Sequence, residues 1–149
     1  MIDPDVRPAA ADDVEQLAWL EIEARSTLVD QRGGARWLAT HDERGADWGE
    51  TIDQLDVVVA HIGEVIVGYM VLDARTAVAT VDDVYVTPPA RELGFGDAML
   101  AASIARAHDR GATHLEGQAL PGDRDTKNLY ERAAIKARLI TVSTPLDAR

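Results

Sequence analysis

Between Arg91 and Asp97 the chain sets an arginine and two closely spaced glycines at the start of a helical run, residue types suited to holding a phosphate group. The apolar strand sequence Asp83-Val84-Tyr85-Val86 halts at Pro88-Pro89, and Gly94 and Gly96 punctuate the turn that opens the run Asp97 to Arg110. Glycine lets the main chain approach a ligand closely, and the first amides of a helix have no acceptor inside it. Such a turn offers N–H groups to an anion. Two patterns compete for it. A dinucleotide-binding Gly-x-Gly-x-x-Gly would need a third small residue where Met99 stands. An Arg-x-x-Gly-x-Gly turn is met by Arg91, Gly94 and Gly96.

The length, 149 residues, suits a single domain spanning 1–149 with its own core. There is no cysteine, which excludes disulfides, thiolate metal sites and a thiol nucleophile. His41, His61, His108 and His114 show no metal-ligand spacing, so no metal is expected. Fifteen Lys and Arg against twenty-six Asp and Glu give a net charge of −11, which repels nucleic acid and anionic membranes and attracts cations such as amines. The start, Met1 to Asp5, has neither a basic region nor an apolar core, and no apolar run is long enough for a membrane span. A soluble cytoplasmic protein is the expectation.

The positioning elements follow from periodicity. Val6-Arg7-Pro8 is a short extended start, after which Asp12, with Glu15 three residues on, is expected to cap a helix with Val14, Leu17, Ala18 and Ile22 as its apolar stripe. Residues 26 to 50, broken by Gly33-Gly34, Gly45 and Gly49 around Trp37 and Trp48, read as short irregular helices. Val57 to Ala60 and Val65 to Leu72, joined at Gly63-Glu64, form an antiparallel hairpin, and a strand through Val78 to Val86 follows. Leu100, Ile104 and Ala107 share one face of a helix ending at Gly111. Thr113 to Ala119 is expected as a strand, Asp123 to Ala133 as a helix and Leu139-Ile140-Thr141-Val142 as a closing strand.

This order of elements resembles the GNAT N-acetyltransferase fold over essentially the whole chain: an α/β (α+β) domain with a mixed, mostly antiparallel sheet flanked by helices. Val6-Arg7-Pro8-Ala9 with Ala11-Asp12-Asp13 is similar to the family's opening, and Val59 through Gly68 to its second and third strands. Asn128-Leu129-Tyr130-Glu131-Arg132 resembles its Leu-Tyr-Glu-Lys helix. The resemblance implies acetyl-CoA as donor, an amine as acceptor and direct attack on the thioester without an acyl-enzyme.

It also implies roles for residues. A main-chain amide in Val84-Tyr85-Val86 would stabilise the charge developing on the thioester oxygen, a contribution of roughly 2.7 to 4 kcal/mol, and the same stretch would pair with the pantetheine arm. Amides from Leu93 through Gly94, Phe95, Gly96 and Asp97 would receive the pyrophosphate. Arg91 would orient the turn or neutralise phosphate, and Glu92 would be tolerated with its carboxylate in solvent. Tyr130 would protonate the departing thiolate. Asp82 and Asp83 are the candidates for removing the amine's proton; strand alternation lets at most one look into the cleft. A water chain is the alternative, and the base is left unassigned.

Three departures stand out. Asp97 is an acid at the head of the phosphate-binding helix, where Arg124, Lys127 or Arg132 could compensate; Asp123 replaces the family's asparagine; and Ala134-Ile135 replaces Gly-Phe. Trp37 and Trp48 flank the region where relatives bind acceptors, although tryptophans of a small domain more often belong to the core. A second reading, an acyl-CoA-binding sensor or interaction module without turnover, stays open, and a homodimer is the default assembly. The sequence does not name the acceptor.

Overall fold

The computed structural model describes residues 4–146. Strand β1 (Asp5–Pro8) leads into a short 3-10 turn and helix α1 (Val14–Leu28), then helices α2 (Gly34–Thr40) and α3 (Trp48–Gln54). Strands β2 (Asp56–Ile62), β3 (Val65–Asp73) and β4 (Val78–Val86) follow, then helix α4 (Phe95–Asp109), β5 (His114–Glu116) and helix α5 (Arg124–Arg132). The sheet order is β1-β2-β3-β4-β5, antiparallel except for the parallel pair β4–β5, which α4 connects. This is the mixed, mostly antiparallel sheet read from the sequence.

Both faces of the sheet are covered. On one, Val58, Met70, Leu72 and Val81 pack under Phe95, Met99, Leu100 and Ala107 of α4 and Leu129 and Tyr130 of α5. On the other, Val57, Val59, Tyr69, Val71 and Tyr85 pack under Leu17, Leu20 and Ala24 of α1 and Trp48 of α3. Burial on both sides explains why β3 is almost continuously apolar rather than alternating.

Three local expectations are corrected. Asp12 does not cap α1; Asp13, 4% exposed, accepts the Ala10 amide at 2.7 Å and a two-pronged contact from Arg7 at 2.7 and 2.9 Å. The buried face of α1 is Leu17, Leu20, Glu21 and Ala24, while Ile22 is exposed. Thr113 to Ala119 contributes only the three residues of β5, and Leu139 to Val142 form no strand. Leu139, Ile140 and Val142 are more than 80% exposed, because β-branched sequence alone cannot hold an extended segment without a pairing neighbour.

Both sheet-flanking helices of the second half end in the same device. After α4, Gly111 takes φ 83° and the Ala112 amide reaches back to Ala107 O; after α5, Ala134 takes φ 60° and the Ile135 amide reaches Tyr130 O. These are left-handed helix stops, closed on the apolar Ile135 in the second case. Glycine adopts this conformation freely, whereas alanine there is strained by about 1 kcal/mol. Ala134→Gly is therefore expected to raise the unfolding free energy by about 1 kcal/mol, measured by urea denaturation, with the slope unchanged.

Candidate active site

The sheet opens at one place. β4 pairs with β5 only over Val78–Thr80 against His114–Glu116, so from Val81 onward the outer edge of β4 has no strand beside it. Thr87 N donates to Val67 O at 2.9 Å on the β3 side, and alternation along the strand then turns the main-chain groups of Val84 and Val86 toward the opening. A cavity of about 610 Å³ fills it. Val81 to Val86 form one wall, the glycine turn and the start of α4 another, and Gln118 to Leu120 with α5 the third.

At one end lies the turn. Gly94 (φ 88°) caps α4, Glu92 also takes a left-handed φ of 65°, and its side chain is exposed as expected. Among the described residues no acceptor lies on the amides of Leu93, Gly94, Phe95, Gly96 or Asp97. Arg91 orients this turn: its Nε donates to Val86 O at 2.9 Å, its guanidinium lies over the Tyr85 ring and it approaches Asp125 at 3.6 Å. Asp97, the acid at the helix head, is paired with Arg132 at 2.9 Å. Asp123 caps α5, accepting from Thr126 N and Oγ1 at 3.1 and 2.6 Å. One expectation fails here: Lys127 does not reach the cavity, because its Nζ donates to Pro121 O in its own turn.

Midway, Tyr130 is 8% exposed, lines the cavity and has no hydrogen-bond partner for its hydroxyl among the described residues. The ring is seated against Gly117, where any Cβ would collide with the hydroxyl. Burial, and secondarily the charge of Asp123, push the phenol up to about 12, so it carries its proton at neutral pH. An orphaned buried hydroxyl costs about 1–3 kcal/mol unless something in the cavity satisfies it.

At the other end the sequence reading needs correction. Asp82 and Asp83 were expected on opposite faces, yet Arg44 bonds both, and both line the cavity. The cause is a bulge: Val71 pairs with Asp83 and Leu72 with Val81, leaving Asp82 unpaired and breaking the alternation. Asp83 accepts from Tyr69 OH at 3.2 Å and faces Arg44 Nη1 at 3.5 Å. Burial raises it to about 6 against the lowering effects of Arg44 and Tyr69, with Asp82 and Glu21 reinforcing the rise. The cavity wall here also includes Ala24, Thr27 and Leu28 of α1, Gln31, and Trp37, which stacks on His41. Of the two tryptophans, Trp48 is core and Trp37 lines the cleft.

Arg44 and Glu21 were missed. Glu21, 1% exposed, accepts from Arg44 N at 2.8 Å, Gly45 N at 2.9 Å and Trp48 Nε1 at 3.1 Å. A carboxylate in register with Leu17 and Ala24 on the apolar stripe was the available signal, since a buried charge must be partnered. Glu23 of α1 was also missed; it accepts from Tyr85 OH at 2.6 Å and Thr87 Oγ1 at 2.8 Å and so pins the end of β4 to α1.

A cleft beside a parted sheet, with a bare amide turn at one end and carboxylates at the other, belongs to the acetyltransferase (GNAT) family, whose model matches residues 13–134. The chain is a member of that family, and acetyl transfer is its general chemistry. Among solved structures it is similar to the aminoglycoside N-acetyltransferase AAC(6')-Iy bound to a CoA-S-monomethyl-acetylneamine bisubstrate analogue, at 17% identity, TM-score 0.70, over 97% of this chain and 100% of that one. A ribosomal-protein-alanine N-acetyltransferase from Brucella melitensis biovar Abortus matches at 16% identity and TM-score 0.70, with the same coverage. A transcriptional regulator from Bacillus halodurans matches at 21% identity and TM-score 0.69 over 97% and 100%. At these identities the likeness establishes the fold. No curated protein matches the chain by sequence. No helix among the described residues is long and apolar enough to cross a membrane.

The Asp83 pKa has a consequence for stability. Because the folded value lies above the ordinary carboxylate value, its stabilisation is fully present below roughly pH 4 and is lost as pH rises through about 6. Arg44 keeps Asp82 and Glu21 when Asp83 is neutralised. Asp83→Asn should therefore melt a few degrees above the parent protein at pH 8, with the gap closing toward pH 4, in calorimetric scans.

Proposed function

We propose that the protein transfers the acetyl group of acetyl-CoA directly to the primary amine of a cationic acceptor, a small molecule or a protein amino group. The observation that carries this reading is the unpartnered hydroxyl of Tyr130, buried against Gly117 on a residue that lines the cavity beside the free edge of β4. Acetyl-CoA supplies an acyl group activated as a thioester. The chain's residues fit such a donor: the unclaimed amides of Leu93 to Asp97 suit a pyrophosphate, and the outward main chain of Val84 with the Val86 amide suits the amide-bearing arm.

In this reading the acceptor's amine, entering the step neutral with its lone pair free, forms its bond to the acetyl carbon as the carbon–sulfur bond breaks. A cleft-facing amide of Val84 or Val86 stabilises the charge on the acyl oxygen. Tyr130 gives its proton to the sulfur, and Asp83 takes the proton from the nitrogen. Asp82, Asp83 and the net charge of −11 favour a positively charged acceptor, and Trp37, Leu28 and Leu120 offer apolar contact to its body. The alternative, a binding module without turnover, rested on Asp97, Asp123 and the lack of an assigned base, and for the last the buried Asp83 in the cavity wall is the candidate. Arg132 balances the first and Thr126 occupies the second, so neither residue argues against donor binding.

The test is thiol release from acetyl-CoA across a panel of diamines, aminoglycosides, amino acids and peptides. Tyr130→Phe is expected to lower kcat by about 10²-fold or more while acetyl-CoA affinity by calorimetry stays unchanged. Acetyl-CoA binding without thiol release from any amine would select the binding module. Gly94→Ala, strained at a φ of 88°, is expected to weaken acetyl-CoA binding at least several-fold. An unaltered dissociation constant would remove the turn from the site.

A further inference from the structure

Asp82 and Asp83 share one cation, and that cation is not free to move. The Arg44 guanidinium contacts both carboxylates, lies over the Trp48 ring at 5.3 Å and is 15% exposed. It bonds two carboxylates that line the cavity. The loop that carries it is anchored by Glu21, whose two oxygens collect the amides of Arg44 and Gly45 and the Trp48 indole N–H. Glu21 also faces the guanidinium at 4.0 Å. The chain thus runs from α1, through a turn of main chain, to the bulge of β4.

We propose that Arg44, held by Glu21, is a positioning residue that clamps the two carboxylates of the β4 bulge in their cleft-facing arrangement and sets the pH range in which Asp83 accepts a proton. The inference rests on the reading of Asp83 as the proton acceptor. The bulged Asp82 has lost its ladder partner, so its orientation is not fixed by the sheet, and the side chain of Asp83, whose main chain stays paired with Val71, is held by Arg44 and Tyr69. The planar fork of arginine spans two carboxylates at once, which a lysine ammonium does not do with the same geometry. The groups that face Asp83 are Arg44 from the loop, Tyr69 from β3, Asp82 from β4 and Glu21 from α1. Arg44 is the one cation among them, so its removal leaves Asp83 beside two other acids. Burial opposes its charge in any case.

The test separates this clamp from the catalytic reading. Carbonyl-detected 13C NMR titrations of aspartate side chains, with Asp83→Asn assigning the Asp83 signal, need no acceptor. In Arg44→Gln the Asp83 midpoint is expected to move upward by one pH unit or more. In Arg44→Lys, which retains the charge but not the planar fork, it is expected to move upward measurably, by less than half as much, with kcat lowered. An Asp83 midpoint unchanged in Arg44→Gln would overturn the proposal; where that variant does not fold, a wild-type midpoint and wild-type kcat in Arg44→Lys would do so. With an accepted amine in hand, the acid limb of kcat/KM should disappear in Asp83→Asn. A limb that survives there rejects Asp83 as the base, whatever the Arg44 titrations give.

Discussion

Main-chain groups inside a sheet need neighbours, and along the outer edge of β4 beyond Thr80 the protein withholds them. Everything at the site follows from that withheld pairing. The short β5 lets the two parallel strands separate, the connection through α4 brings the glycine turn to the mouth of the gap, and α5 closes it with Tyr130. Unpaired strand edges ordinarily invite aggregation. This one is recessed between α4, α5 and α1, where it is open to a slender ligand and closed to another sheet.

Charge is distributed along the gap in a consistent way. At the donor end the acids are matched: Asp97 with Arg132, Asp125 with Arg91, Asp123 with the first turn of α5. At the bulge end Arg44 serves Asp82, Asp83 and Glu21 together. A strongly acidic protein thereby keeps a polyanion-tolerant pocket at one end and retains its attraction for cations at the other. The field favours opposite partners within one cavity.

What the sequence disclosed was whatever is encoded locally. The hairpin around Gly63, the αL stop at Gly111, the Asp123 cap and the proline-to-glycine turn each depend on a few adjacent residues, and each stands where the pattern put it. The errors are non-local. A bulge is a property of two paired strands, so nothing in Val81-Asp82-Asp83 announced that alternation would break. Arg44 is nearly forty residues from the carboxylates it holds. Leu139 to Val142 have strand-like composition, yet composition does not supply a partner. Lys127 was placed near the cofactor by its charge, and a carbonyl six residues away claims it.

The glycine turn, α4 and α5 cover one face of the sheet and α1 and α3 the other, while β2, β3 and β4 send side chains to both. The two layers meet at the cleft, where Glu23 of α1 holds Tyr85 and Thr87 at the end of β4. A change in α1 that removes Glu23 therefore also frees the strand end that leads into the glycine turn, so the two sides of the cleft are bound to evolve together.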